Sequence, residues 1–95
     1  MAMSRRQKII ELLLDVEQPI SIPEMARILK IDEENIKNDL PRILELARNK
    51  GWKLIIVPQR CKKCGHVFEP SVHIASKCPS CGSQWLEGPW FKLEK

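Results

Sequence analysis

An α+β fold is predicted for this chain by three observations. Apolar residues recur at helical spacing in three successive segments of the first fifty residues. Two short β-prone runs, residues 52–57 and 90–93, stand apart with 32 residues (58–89) between them. That intervening stretch holds all four cysteines as two C-x-x-C-G hooks. Three helices followed by a strand pair read as a winged helix-turn-helix with a two-stranded wing, residues 1–57 and 90–95. The hooks read as a four-cysteine zinc ribbon inserted in the wing, residues 58–89.

The first helix is expected over residues 4–17, where Ile9, Leu12, Leu13 and Val16 recur at i, i+3, i+4 and i+7 and Pro19 stops the run. Ser21-Ile22-Pro23-Glu24 is a capping-box pattern with Pro just inside the start. It opens a short second helix over residues 23–30, with Met25, Ala26 and Leu29 inward. Asp32 can cap a third helix beginning at Glu33, whose stripe is Ile36, Leu40, Ile43, Leu44 and Ala47 and whose stop is Gly51. Pro41 lies inside it, removes one backbone donor, and is expected to kink the axis or split it near Asp39. Residues 52–57 form a strand closed by Pro58, and residues 90–93 form its partner after the Gly88-Pro89 turn. Trp52 and Trp90 are expected in the core at this sheet, and Trp85 between ribbon and body.

The spacing C-x-x-C-x13-C-x-x-C brings four soft ligands, Cys61, Cys64, Cys78 and Cys81, from two knuckles to one point. A glycine after each second cysteine allows the tight backbone around the sulfurs. Four thiolates close a tetrahedron and suit zinc, which needs neither an open position nor redox chemistry. Binding at such sites contributes about 10–16 kcal/mol, enough to order a segment with little core. The second hook, Cys78-Pro79-Ser80-Cys81-Gly82, looks like the second knuckle of rubredoxins, so iron is the alternative metal. His66 and His73 read as surface or supporting groups, because four cysteines already fill the site.

Composition excludes several classes. The longest uninterrupted apolar run is Leu54-Ile55-Ile56-Val57, far below the ~20 residues of a membrane span. Residues 1–6 show no apolar core and no cleavage pattern, so no leader is read, and the cytoplasm is the expected compartment. There, paired C-x-x-C indicates metal rather than disulfide. No Ser/His/Asp set and no glycine-rich phosphate loop is legible, and a closed four-sulfur site has no vacant position. The chain therefore reads as non-enzymatic, with no small-molecule substrate and no membrane partner. Net charge is +4, all of it in residues 52–95, and a thiolate-bound dication lowers it to +2.

Helices at 23–30 and 33 onward, joined through Lys30-Ile31-Asp32, have helix-turn-helix spacing. On the third helix Asn35 and Asn38 can bond adenine edges, Arg42 can reach guanine or phosphate, and Lys37 a flanking phosphate. Glu33, Glu34 and Asp39 oppose this by carrying carboxylates on the same helix. Arg60, Lys62 and Lys63 beside the first hook are candidate phosphate contacts.

Two stretches together resemble a known family: Arg60-Cys61-Lys62-Lys63-Cys64-Gly65-His66-Val67-Phe68, and Ser76-Lys77-Cys78-Pro79-Ser80-Cys81-Gly82-Ser83-Gln84-Trp85-Leu86-Glu87-Gly88-Pro89-Trp90-Phe91. It is a small, mainly archaeal group of predicted transcriptional regulators that fuse a winged helix-turn-helix to a rubredoxin-like zinc ribbon. The resemblance implies a ribbon inserted in the wing, four cysteine ligands to zinc, and double-stranded DNA as partner in transcription regulation. The alternative is a protein-interaction module that uses the helix-turn-helix and ribbon surfaces on a partner in the transcription machinery. A third reading is rubredoxin-like electron transfer.

Overall fold

The computed structural model describes residues 3–95; Met1 and Ala2, the start of the stretch read for a leader, lie outside them. Helix α1 spans Arg5–Asp15, strand β1 Ile20–Ser21, α2 Ile22–Leu29, α3 Glu33–Lys50, β2 Lys53–Val57, β3 Arg60–Cys61, β4 Leu86–Glu87 and β5 Trp90–Glu94.

Ser4 caps α1, its hydroxyl accepting from the Gln7 N–H at 3.1 Å. Ser21 and Glu24 complete the expected capping box on α2, each side chain accepting from the other residue's backbone N–H at 3.4 Å. Lys30 closes α2 in the left-handed region (φ 56°), where a glycine is more usual. Asp32 stands at the N-cap of α3, but its side chain makes no capping hydrogen bond, contrary to expectation. The helix runs unbroken through Pro41, so the split near Asp39 does not occur. The proline leaves the Lys37 carbonyl without its usual helical donor, and packing along the rest of the 18 residues carries the helix across.

The sheet has three strands in the order β1-β5-β2, all antiparallel, where the sequence predicted two. Two residues beside Pro19 carry no readable periodicity, and β1 exists because β5 offers it an edge. Ile20 and Ile56 flank Phe91 in register, and Leu54 pairs with Leu93. Phe91 and Leu93 are fully buried on the side that meets the helices. Ile9, Leu13, Met25, Ile36, Leu40 and Ile43 supply the helical half of this core. Each such side chain contributes about 1.5–3 kcal/mol on burial.

β2 and β5 keep one register with β3 and β4, from Lys53↔Glu94 out to Cys61↔Leu86. The ladder is interrupted between Val57↔Trp90 and Arg60↔Glu87. On that register Pro58 and Pro89 face each other, and neither has an N–H to donate. The ribbon is thus the outer end of the same long hairpin. Its large loop returns to the body: Val72 is buried in the main core, and Ile74 packs against it.

Asp39 of α3 draws two arginines of α1, with Arg6 at 3.9 Å and Arg5 closer. Arg5 donates from Nε and Nη2 to the two carboxylate oxygens of Asp39 at 2.7 and 3.0 Å. Asp39 is buried (2 % exposed), so of the three carboxylates counted against phosphate on this helix it is withdrawn from solvent, while Glu33 and Glu34 stay exposed. The hydrogen bonds from Arg5 hold the Asp39 carboxyl below the usual carboxylate range against the opposing effect of burial.

Candidate metal centre

The two knuckles are built alike. In the first, the Gly65 N–H donates to the Cys61 carbonyl at 3.0 Å and the Cys61 N–H to the His66 carbonyl at 2.9 Å. In the second, Gly82 donates to Cys78 at 2.9 Å and Cys78 to Ser83 at 2.8 Å. Both glycines sit at left-handed φ, +80° and +75°, where a side chain is strained. The sequence hooks C-x-x-C-G are thus two copies of one turn.

β3 aims Cys61 inward, and the register with β4 sets the first knuckle against the second. The sulfurs of Cys61 and Cys81 stand 3.6 Å apart, as do those of Cys64 and Cys78. A disulfide requires about 2.05 Å, whereas a tetrahedron with zinc–sulfur bonds of about 2.3 Å has edges of about 3.8 Å. All four sulfurs lie within 4.8 Å of one another. The set fits one structural zinc held by Cys61, Cys64, Cys78 and Cys81, as the spacing predicted.

The electrostatics favour a cation. The Cys64 N–H chiefly, with the Lys63 N–H and neighbouring sulfurs, brings the Cys61 thiol down to about 6. At Cys64 the strongest influence, the His66 N–H, favours the thiolate, but burial and the sulfurs of Cys78, Cys81 and Cys61 outweigh it and push it up to about 12. One ionised sulfur therefore opposes ionisation of the next. A dication at the centre removes that conflict, because coordinating thiols are deprotonated outright. The centre's chemistry is structural: it ties two knuckles together and offers no open coordination position.

Comparison with known proteins agrees with this geometry. The PF0610 rubredoxin-like zinc beta-ribbon domain matches residues 58–95. A UPF0251 protein of Moorella thermoacetica is 31 % identical over 70 residues, 73 % of this chain and 47 % of that protein. The chain thus spans about half the length of the curated relative it matches. The solution NMR structure of protein PF0610 from Pyrococcus furiosus is 42 % identical, covers 100 % of this chain and 95 % of its own, and superposes with a TM-score of 0.81. The chain belongs to the PF0610 rubredoxin-like zinc ribbon family.

Around the centre of this PF0610-family ribbon, His66 and His73 lie outside the four-sulfur set. The His66 Nδ1 lies 3.4 Å from the Ser80 hydroxyl, linking the knuckles, and its ring meets Phe68 edge-on at 5.1 Å. His73 is exposed. Arg60 is paired with Glu87 at 2.7 Å, and Lys62 lies over the Trp85 ring at 5.8 Å. Lys63 is exposed, as are Asn38 and Arg42 on α3, while Asn35 and Lys37 are half-buried. Trp52 packs half-buried against the core as expected, but Trp90 does not join it. Trp90 alternates with the core-facing Phe91 and Leu93, so it is half-buried on the other side of the sheet. Trp85 is 64 % exposed and joins no core either. Its place beside the paired strands left it on the outer face.

Sequence reasoning missed Gln59, which seats the ribbon loop. Its buried side chain donates to the Ala75 carbonyl at 3.1 Å and accepts from the Ala75 N–H at 2.8 Å. Its own carbonyl accepts from the Phe68 N–H at 2.9 Å. No local signal marks a glutamine between Pro58 and Arg60. Arg5 and Arg6 did carry a hint, because two cations at a helix N-terminus oppose its dipole and call for an acidic partner elsewhere.

Proposed function

We propose that the body of the chain is a winged helix-turn-helix module that binds double-stranded DNA in transcription regulation, with residues 58–89 as its zinc-stabilised insertion. The observation that carries this reading is the outer face of α3. That helix follows α2 after the short corner at Lys30–Asp32 and packs against it, and it precedes the β2–β5 hairpin. Asn38 and Arg42 stand exposed one turn apart, opposite the buried stripe of Ile36, Leu40 and Ile43. Withdrawal of Asp39 into its pair with Arg5 removes one carboxylate that the sequence placed against phosphate.

In this reading Asn35 and Asn38 read base edges, Arg42 takes guanine or phosphate, and Lys37 a flanking phosphate. Lys63 is the ribbon cation carried forward, since Arg60 and Lys62 already have neighbours on their own face. Selection from a random duplex pool, followed by anisotropy titration at two salt concentrations, tests it. The expected result is a preferred sequence and a steep salt dependence, with Arg42→Ala costing about 1–3 kcal/mol on that sequence. Equal binding to all duplexes at micromolar affinity or weaker would end this reading.

A further inference from the structure

The outer face of the ribbon hairpin presents a run of side chains that the zinc site does not use. Arg60 faces Glu87 across β3 and β4, and Val67 bridges Arg60 on the other side. One step outward, the Lys62 N–H donates to the Trp85 carbonyl at 2.9 Å, and the Lys62 ammonium lies over the Trp85 ring. Strand alternation sends Cys61 and Leu86 to the opposite side. One step inward, a shallow cavity of about 340 Å³ is lined by Val57, Pro58, Arg60, Val67, Glu87 and Trp90. Val57, Val67 and Trp85 are 39 %, 58 % and 64 % exposed, three of the five large apolar side chains exposed among the described residues. Val57 and Val67 share the cavity, and Trp85 lies two residues before Glu87, on the same face by strand alternation. This exposed apolar run marks an interaction surface rather than scattered surface apolarity. The exposure is also held in place: the Trp85 N–H donates to the Ser83 hydroxyl at 3.0 Å, and its carbonyl is in the ladder.

We infer that this face docks a partner protein through a segment carrying a large apolar side chain beside a carboxylate. The apolar side chain enters the cavity between Val57, Val67 and Trp90 and covers Trp85, and the carboxylate meets Lys62. Charge decides between partner classes. Arg60 and Lys62 against Glu87 leave a single positive charge on the face, and the thiolate–zinc cluster behind it is net negative. A phosphate backbone needs a denser array of cations, whereas one acidic group on an apolar segment matches what is present. Exposed tryptophan beside Arg and Lys is the composition of interface anchors. This surface lies outside α3, so it stands independently of the DNA reading.

The test pans a random phage-displayed peptide library on the zinc-loaded full chain, then titrates recovered peptides and a short oligo-dT strand against it by ¹⁵N NMR. The expected outcome is peptides pairing an aromatic or leucine with Asp or Glu, shifting the amides of Val57, Val67 and Lys62 and the Trp85 indole. Trp85→Ala and Val67→Asp each weaken that binding about tenfold or more, and Lys62→Glu weakens it for acidic peptides. Unchanged zinc stoichiometry shows that each variant folds, and Arg42→Ala leaves peptide binding intact. No enriched peptide, or binding that survives both Trp85→Ala and Val67→Asp, overturns the inference. Oligo-dT shifting the same residues more tightly than the peptides overturns it in favour of single-stranded nucleic acid.

Discussion

Replacing Gln59 by Met is expected to loosen the ribbon loop without touching a zinc ligand. The side chain is 6 % exposed and makes two hydrogen bonds to the backbone of Ala75, one donated and one accepted. Methionine fills a similar volume but makes neither. Each hydrogen bond contributes about 0.5–1.5 kcal/mol net, and each partly buried group left unpaired costs about 1–3 kcal/mol. Ala75 is half-buried and recovers some hydration, which brings the expected loss to about 2–4 kcal/mol. Gln59→Glu keeps the shape and one acceptor, yet sets a second oxygen against the Ala75 carbonyl, so it too destabilises. Urea unfolding of the zinc-loaded chain, followed by tryptophan fluorescence, reads the stability. Hydrogen exchange at the Ala75 amide reads the contact itself, and its protection should collapse first. A loss below about 0.5 kcal/mol with unchanged exchange at Ala75 would show that Val72 and the metal alone seat the loop, and would refute the role assigned to Gln59.

Three further outcomes are expected. Chelation, or Cys78→Ser, removes most of the about 10–16 kcal/mol such sites supply; NMR should show β3 and β4 lost while α1, α2 and α3 persist, and elemental analysis should show zinc gone. Asp39→Asn costs about 1–3 kcal/mol at pH 7, less than a fully buried pair because Arg5 is half exposed and rehydrates. The folded carboxyl lies below its ordinary value, so its stabilisation is present above pH about 4 and is lost as pH falls through the folded value. The gap between the native chain and the variant in denaturant titrations should therefore close at acid pH. Gly88→Ala places a Cβ 2.6 Å from the Trp90 ring at φ +77° and should cost about 2–4 kcal/mol in thermal melts. Gly65→Ala meets no atom within 4 Å, so its cost is the conformational part alone, about 1–2 kcal/mol.

The parts legible in advance are those written in local spacing. Ser21 and Glu24 cap α2 because a capping box is a four-residue device. The α3 stripe, with Ile9, Leu12 and Leu13 of α1, faces the core because periodicity dictates a side. Val16, by contrast, falls past the helix as its C-cap, and Ile10 takes a core place the stripe had not named. The two hooks identify four sulfur ligands because each knuckle closes within five residues. Asp32 failed as a side-chain cap and Pro41 failed to split α3, since each local preference is worth a few kcal/mol at most and packing against α1, α2 and β2 outweighed it.

By itself, then, the chain's order of residues determined three helices, the strand pair and one metal centre, all set by interactions within a few turns or knuckles. Only the tertiary structure decided the rest. It added β1 to the sheet edge, buried Asp39 under Arg5, locked Gln59 to Ala75, sank Val72 into the main core and left Trp85 outside. These contacts join residues 16 to 71 positions apart, and side-chain type alone does not say which distant partner the folded chain will bring within reach.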